Sequence, residues 1–105
     1  MTPLAILRAY DAGEVTSRQL VDAPGDIEFH VLRPSADGQR VYQYPTYLGA
    51  LAAALEASAA TGEPVTMCRV WYPARAERPG VYRVVWRREV YAETGEITYN
   101  DNGEE

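Results

Sequence analysis

Hydrophobic positions recur with two different periods along this chain, and the switches between them mark its elements. Leu4, Leu7 and Tyr10 fall at helical spacing, Thr2 can cap, and Pro3 suits the first helical position. With Gly13 as a stop, Pro3 to Ala12 reads as a short helix. Thr16 and Gln19 have the spacing of a capping box and predict a second short helix through Asp22, ended by the run APGD. From Ile27 to Leu32 the period falls to two. Ile27, Phe29 and Val31 lie on one side and Glu28 and His30 on the other, as in a half-buried strand. The Asp-Gly pair within RPSADGQ predicts a tight turn, with Gln39 to Tyr44 folding back as a hairpin partner.

The helical period returns in YPTYLGALAAALEASAATG, where Thr46 is the cap, Gly62 the stop, and Leu48, Leu51, Ala52, Leu55 and Ala59 the expected inward stripe. Only Glu56 on this helix is charged and the rest of its surface is mostly alanine. Such a helix either lies close on a sheet or contacts another subunit. Strands are then predicted over Val65 to Tyr72, Val81 to Tyr91 and Ile97 to Tyr99, with PARAERPG and ETGE as turns. The sum is an α+β fold of one small domain over residues 1–100. Its antiparallel sheet has about five strands, in element order ααββαβββ, and packs against one Ala-rich helix; residues 101–105 form a polar tail expected to fray.

Composition adds that 105 residues with 47% hydrophobic and 24% charged content suffice for a buried core. The single cysteine, Cys68, allows no internal disulfide and suits a reducing compartment. No basic region precedes the first apolar residues and no run of about 18 apolar residues occurs, so the expectation is a cytoplasmic chain with no membrane span.

Catalytic chemistry has little to draw on. One His and one Cys do not furnish a transition-metal site, and the acidic end from Asp101 to Glu105 lacks the spacing of a calcium loop, so no metal or cofactor is expected. A nucleophile pair of Cys68 and His30 would need neighbouring strands with both side chains on one accessible face. The plainer reading is a buried thiol and a solvent-facing histidine. Without lysine, a P-loop or Schiff-base mechanism is excluded, and neither G-x-S-x-G nor G-x-G-x-x-G is present. No catalytic residue is therefore expected. The two N-terminal helices have the outline of a helix-turn-helix, but Asp11, Glu14, Asp22 and Asp26 would repel duplex DNA.

Charge is unevenly spread over a chain of formal net charge -5. Residues 67–91 hold six of the ten basic residues, all arginine, both tryptophans and three of the eight tyrosines. Strict alternation over Val81 to Tyr91 assigns Tyr82, Val84, Trp86, Arg88 and Val90 to the core and turns Arg83, Arg87 and Tyr91 outward. If Thr66, Cys68, Val70 and Tyr72 are the core row of the preceding strand, Arg69 and Trp71 point outward too. The predicted partner-binding surface is thus Arg69, Trp71, Arg83, Arg87 and Tyr91, rimmed by Arg75 and Arg78. These residue types are enriched at protein hot spots.

The expected function is a non-catalytic protein-binding module, of the small acidic accessory or inhibitor type common in bacteria and phages by analogy of type. Its partner would be another protein or a second copy in a homodimer, with Val81 to Tyr91 as an edge strand open to pairing. Three readings compete. The same residues could bind single-stranded nucleic acid, or serve packing alone with Glu77, Glu89, Glu93 and Glu96 as ion-pair partners. The acids Asp11, Glu14, Asp22, Asp26 and Glu28 could instead mimic phosphates toward a nucleic-acid-binding partner.

Overall fold

A computed structural model describes residues 2–100, with side chains described as far as Gly95; the predicted tail at 101–105 lies outside the described residues. Helix α1 (Pro3–Asp11) starts at Thr2, whose hydroxyl accepts the Ala5 N–H at 3.2 Å. Helix α2 (Ser17–Leu20) is a single turn opened by the full capping box. The Gln19 side chain accepts the Thr16 N–H at 2.8 Å while Thr16 Oγ1 accepts the Gln19 N–H at 3.3 Å. There follow β1 (Asp26–Ser35), β2 (Gly38–Tyr44), α3 (Tyr47–Thr61), β3 (Val65–Tyr72), β4 (Arg83–Tyr91) and β5 (Glu96–Asn100). The strands form one sheet in the order β2-β1-β3-β4-β5, antiparallel at every seam. The chain is therefore a small α+β domain built on an antiparallel sheet.

The hairpin between β1 and β2 turns one step earlier than the Asp-Gly signal suggests. Ser35 pairs with Gly38 and the loop is Ala36–Asp37, with Gly38 at φ +118° opening β2. Pro34 is tolerated inside β1 because it pairs with Gln39, a position where strand backbone groups point away from β2 and no N–H is needed.

Two expectations about the cover change. The Ala-rich helix does not cover the sheet alone: from the two short N-terminal helices, Ile6, Leu7 and Leu20 join Phe29, Val31, Val65, Met67, Trp71, Trp86 and Val90 in one core. The long helix also presents the other side. Its buried residues are Ala50, Ala54, Ala57 and Ser58, whereas Leu48 is 74% exposed and Leu51 and Leu55 are only half-buried. Alanines let the helix axis come close to the sheet, and leucines in that row would hold it off. Ser58 locks the far end, donating to the Glu63 carbonyl at 2.7 Å and accepting the Ala92 N–H at 2.9 Å.

A β-bulge breaks the alternation that the sequence implies for β4. Arg69 pairs with Trp86 but Val70 pairs with Val84, so Val85 is the extra residue, and consecutive Val85 and Trp86 both join the helix-side core. Strand β4 is also interior, between β3 and β5, which corrects its expected role as an open edge. No helix among the described residues is long and apolar enough to cross a membrane.

Candidate functional site

The predicted Arg-aromatic surface does not assemble. Trp71 is fully buried beneath the helices and its Nε1–H donates to the Pro24 carbonyl at 3.0 Å. The backbone packs so closely there that a Cβ on Gly25, at φ +137°, would lie 2.7 Å from that nitrogen and 2.6 Å from the Tyr72 carbonyl oxygen. Only glycine fits. Arg69 shares the helix-covered face, with Nη2 donating to the Val21 carbonyl at 3.4 Å and the guanidinium above the Phe29 ring. Burial pushes the Arg69 pKa down, against the opposing pull of Asp22.

The remaining members go separate ways. Arg83 clamps α1 to β4 through a bidentate pair with Asp11, at 2.9 and 2.8 Å; its hydrogen bonds hold the Asp11 carboxyl below its ordinary range. Arg87 is exposed and sits across from Cys68 on the opposite face of the sheet. Arg78 is exposed in the β3–β4 loop, and the Tyr91 hydroxyl donates to Glu93 at 2.6 Å. The bulge and the helical cover together divide residues that a flat, regular sheet would have aligned.

On the face away from the helices, the structure instead gathers five residues, of which sequence alternation alone joins only Glu28 and His30. Glu28 and His30 project from β1, Tyr72 from the end of β3, and Arg75 and Tyr82 from the loop that returns to β4. Glu28 Oε1 accepts from the Tyr72 hydroxyl at 3.0 Å and lies 3.2 Å from His30 Nε2, while Oε2 accepts from Arg75 Nη2 at 2.8 Å. The Tyr72 hydroxyl is also 3.3 Å from His30 Nε2. Above them the Arg75 guanidinium lies over the Tyr72 ring at 4.3 Å, and the Tyr82 ring contacts His30 and Tyr72 at 5.4 and 5.3 Å. Cys68, Val70 and Tyr72 form a small second core beneath this loop, with Leu32 and Val84 against it.

The centre of the cluster is closed to solvent, while Arg75 and Tyr82 at its rim are partly exposed. Glu28 is 8%, His30 4% and Tyr72 2% exposed, which corrects the expectations of a solvent-facing His30 and of Glu28 in an acidic surface. Burial pushes the Glu28 carboxyl up, but hydrogen bonds from Arg75, Tyr72 and His30, with the Arg75 charge, bring it net below its ordinary value. Burial and the Glu28 carboxylate push Tyr72 up to about 12. Cys68 lies directly across from His30 on the neighbouring strand, the placement a nucleophile pair would need. Yet it is 3% exposed and burial raises its thiol pKa, so it lacks both the access and the thiolate that attack requires. The alternation of Glu28 and His30 was the visible signal. The pairing of β1 with β3, which brings Tyr72 beside them, was not.

The open surface lies at the sheet edge. Strand β2 is exposed along its length save for a half-buried Tyr44, with Val41 at 52% and Tyr42 at 39%. Arg33 stacks over the Tyr42 ring at 5.1 Å, and the exposed Leu48 stands in the first turn of α3 just beyond the strand. In comparisons with protein-family models, curated proteins and solved structures, no family, protein or structure matches this chain.

Proposed function

We propose that this chain is a non-catalytic protein-docking module whose contact surface is the outer edge of β2 with the start of α3. The observation that carries the reading is the edge itself. Among the described residues β2 pairs on one side only, holds no proline or lysine and a single charge at Arg40, and displays Val41, Tyr42 and nearby Leu48 to solvent. Natural edges are normally blunted by such residues, by several charges or by bulges, and an edge with a single charge is a template for a partner strand. The polar cluster on the other face supports this reading, because its buried groups satisfy one another and hold the β3–β4 loop through Arg75. The alternatives draw less support. The arginines proposed for nucleic acid are split between faces, and of the proposed acidic mimic Glu28 is buried and Asp11 is paired with Arg83.

A double substitution, Tyr42→Ala with Leu48→Glu, tests the surface. Both residues are exposed, so the melting temperature should hold within the few degrees that roughly 0.5 kcal/mol implies. Affinity capture from host lysate should retain a discrete protein with the wild type and lose it with the variant, with or without nuclease. Equal capture by both proteins, or capture abolished by nuclease, would reject a protein-docking edge here.

A further inference from the structure

We propose that the β2 edge pairs with β2 of a second copy of this chain, in antiparallel register centred on Val41. This rests on the docking reading above and names its partner. The argument begins with backbone direction. The two-residue loop makes Ser35 and Gly38 a hydrogen-bonded pair, so by alternation Arg40, Tyr42 and Tyr44 bond inward to β1. The N–H and C=O groups of Gln39, Val41 and Gln43 then point outward. Pro34, which has no N–H to give and pairs with Gln39, occupies the place this phase requires.

A two-fold axis at Val41 sets Gln39 against Gln43 of the other copy and Val41 against itself, so every outward group meets another. The pairing adds about six backbone hydrogen bonds. The side chains of GQRVYQY match in the same register. Gln39 and Gln43 can exchange amide hydrogen bonds across the seam, and the two Val41 side chains pack at its centre. On the helix side Arg40 lies opposite Tyr42 of the other copy. Each Tyr42 ring, covered on one side by its own Arg33, thereby gains a second cation from the partner. Registers displaced by two residues in either direction leave one of the outward triplet unmatched and lose the Arg40–Tyr42 opposition. Because the axis runs perpendicular to the sheet, the two α3 helices with their exposed Leu48 residues stand on the same side, flanking the seam.

Sedimentation of the wild type from about 1 µM to about 1 mM should show a reversible monomer–dimer equilibrium. Val41→Pro deletes the central outward N–H without removing a bond to β1, and should raise the dissociation constant about tenfold or more while leaving the far-ultraviolet spectrum unchanged. In a Cys68→Ala background, Val41→Cys should crosslink to itself on mild oxidation, since facing Cα atoms about 5.5 Å apart suit a disulfide. Gln39→Cys and Gln43→Cys, each alone, should not. A wild type monomeric throughout this range, a dimer indifferent to Val41→Pro, or self-crosslinking strongest away from position 41 would overturn the pairing. A monomer whose capture of a different protein is lost with Tyr42→Ala and Leu48→Glu would overturn it while leaving the docking edge standing.

Discussion

Trp71→Ala is expected to lower stability by about 3–5 kcal/mol, the cost of emptying a large, fully enclosed aromatic site. Domains of this size have roughly 5–15 kcal/mol in total, so the variant should melt about 15 °C or more below the wild type. Trp71→Phe separates the two contributions. It keeps most of the packing and removes the Nε1–H donated to Pro24, a residue exposed enough for water to replace the bond, and should cost only about 1–2 kcal/mol. Denaturant midpoints measure both. If Trp71→Ala melted with the wild type, the indole would have to lie on the surface, and the Arg-aromatic patch expected from sequence would be restored. Loss of binding in this variant would otherwise report unfolding.

The second large effect concerns Glu28. Glu28→Ala removes the acceptor shared by Tyr72 and His30, leaves those two groups only each other in a dry environment and releases Arg75, for an expected loss of about 2–4 kcal/mol. The pH dependence gives an independent check. The folded Glu28 carboxyl holds its charge below the ordinary value of 4.5, so its contribution is fully present above about pH 4.5 and is lost as pH falls through the lowered folded value. Tyr72 behaves in the opposite sense. Raised from 10.0 to about 12, it contributes below pH 10 and loses on the order of 2 kcal/mol as pH climbs toward 12. Stability plotted against pH should fall at both ends. Glu28→Gln should flatten the acid limb and Tyr72→Phe the alkaline one; acid and alkaline limbs unchanged by these variants would show that the cluster does not form.

Local chemistry made the elements legible and long-range pairing hid the site. The capping box at Thr16 and Gln19, the cap at Thr46 and the stop at Gly62 act over a few residues, and each stands in the structure where the sequence placed it. Val65 to Tyr72 was readable to the residue, because its ends are set by Pro64 and Pro73. The faces were not readable. Strand β3 is buried on both sides, so alternation could not say that Trp71 lay beneath helices and Tyr72 beneath a loop. On β4 the extra residue at Val85 shifts the faces midway, and no turn signal announces a bulge inside a run of Val and Arg. Helix α3 misled for a different reason. Hydrophobicity favoured its leucines as the inner row, whereas close approach to a sheet favours the alanines.

The strand order has one more consequence, which concerns time. Three of the four seams join strands adjacent in sequence: β1 to β2, β3 to β4 and β4 to β5. Only β1 to β3 reaches across the chain, pairing Asp26 with Tyr72 around the hairpin and α3. The molecule is in this sense a hairpin and a meander joined along a single line, and closing the long loop between them carries the entropic cost that slows non-local topologies. Conservative substitutions along that line, such as Val31→Ala and Met67→Ala, should slow folding in proportion to their destabilisation. Changes at the hairpin tip, such as Ala36→Gly, should leave the folding rate nearly untouched. Stopped-flow refolding that showed the reverse order would place the rate-limiting event elsewhere.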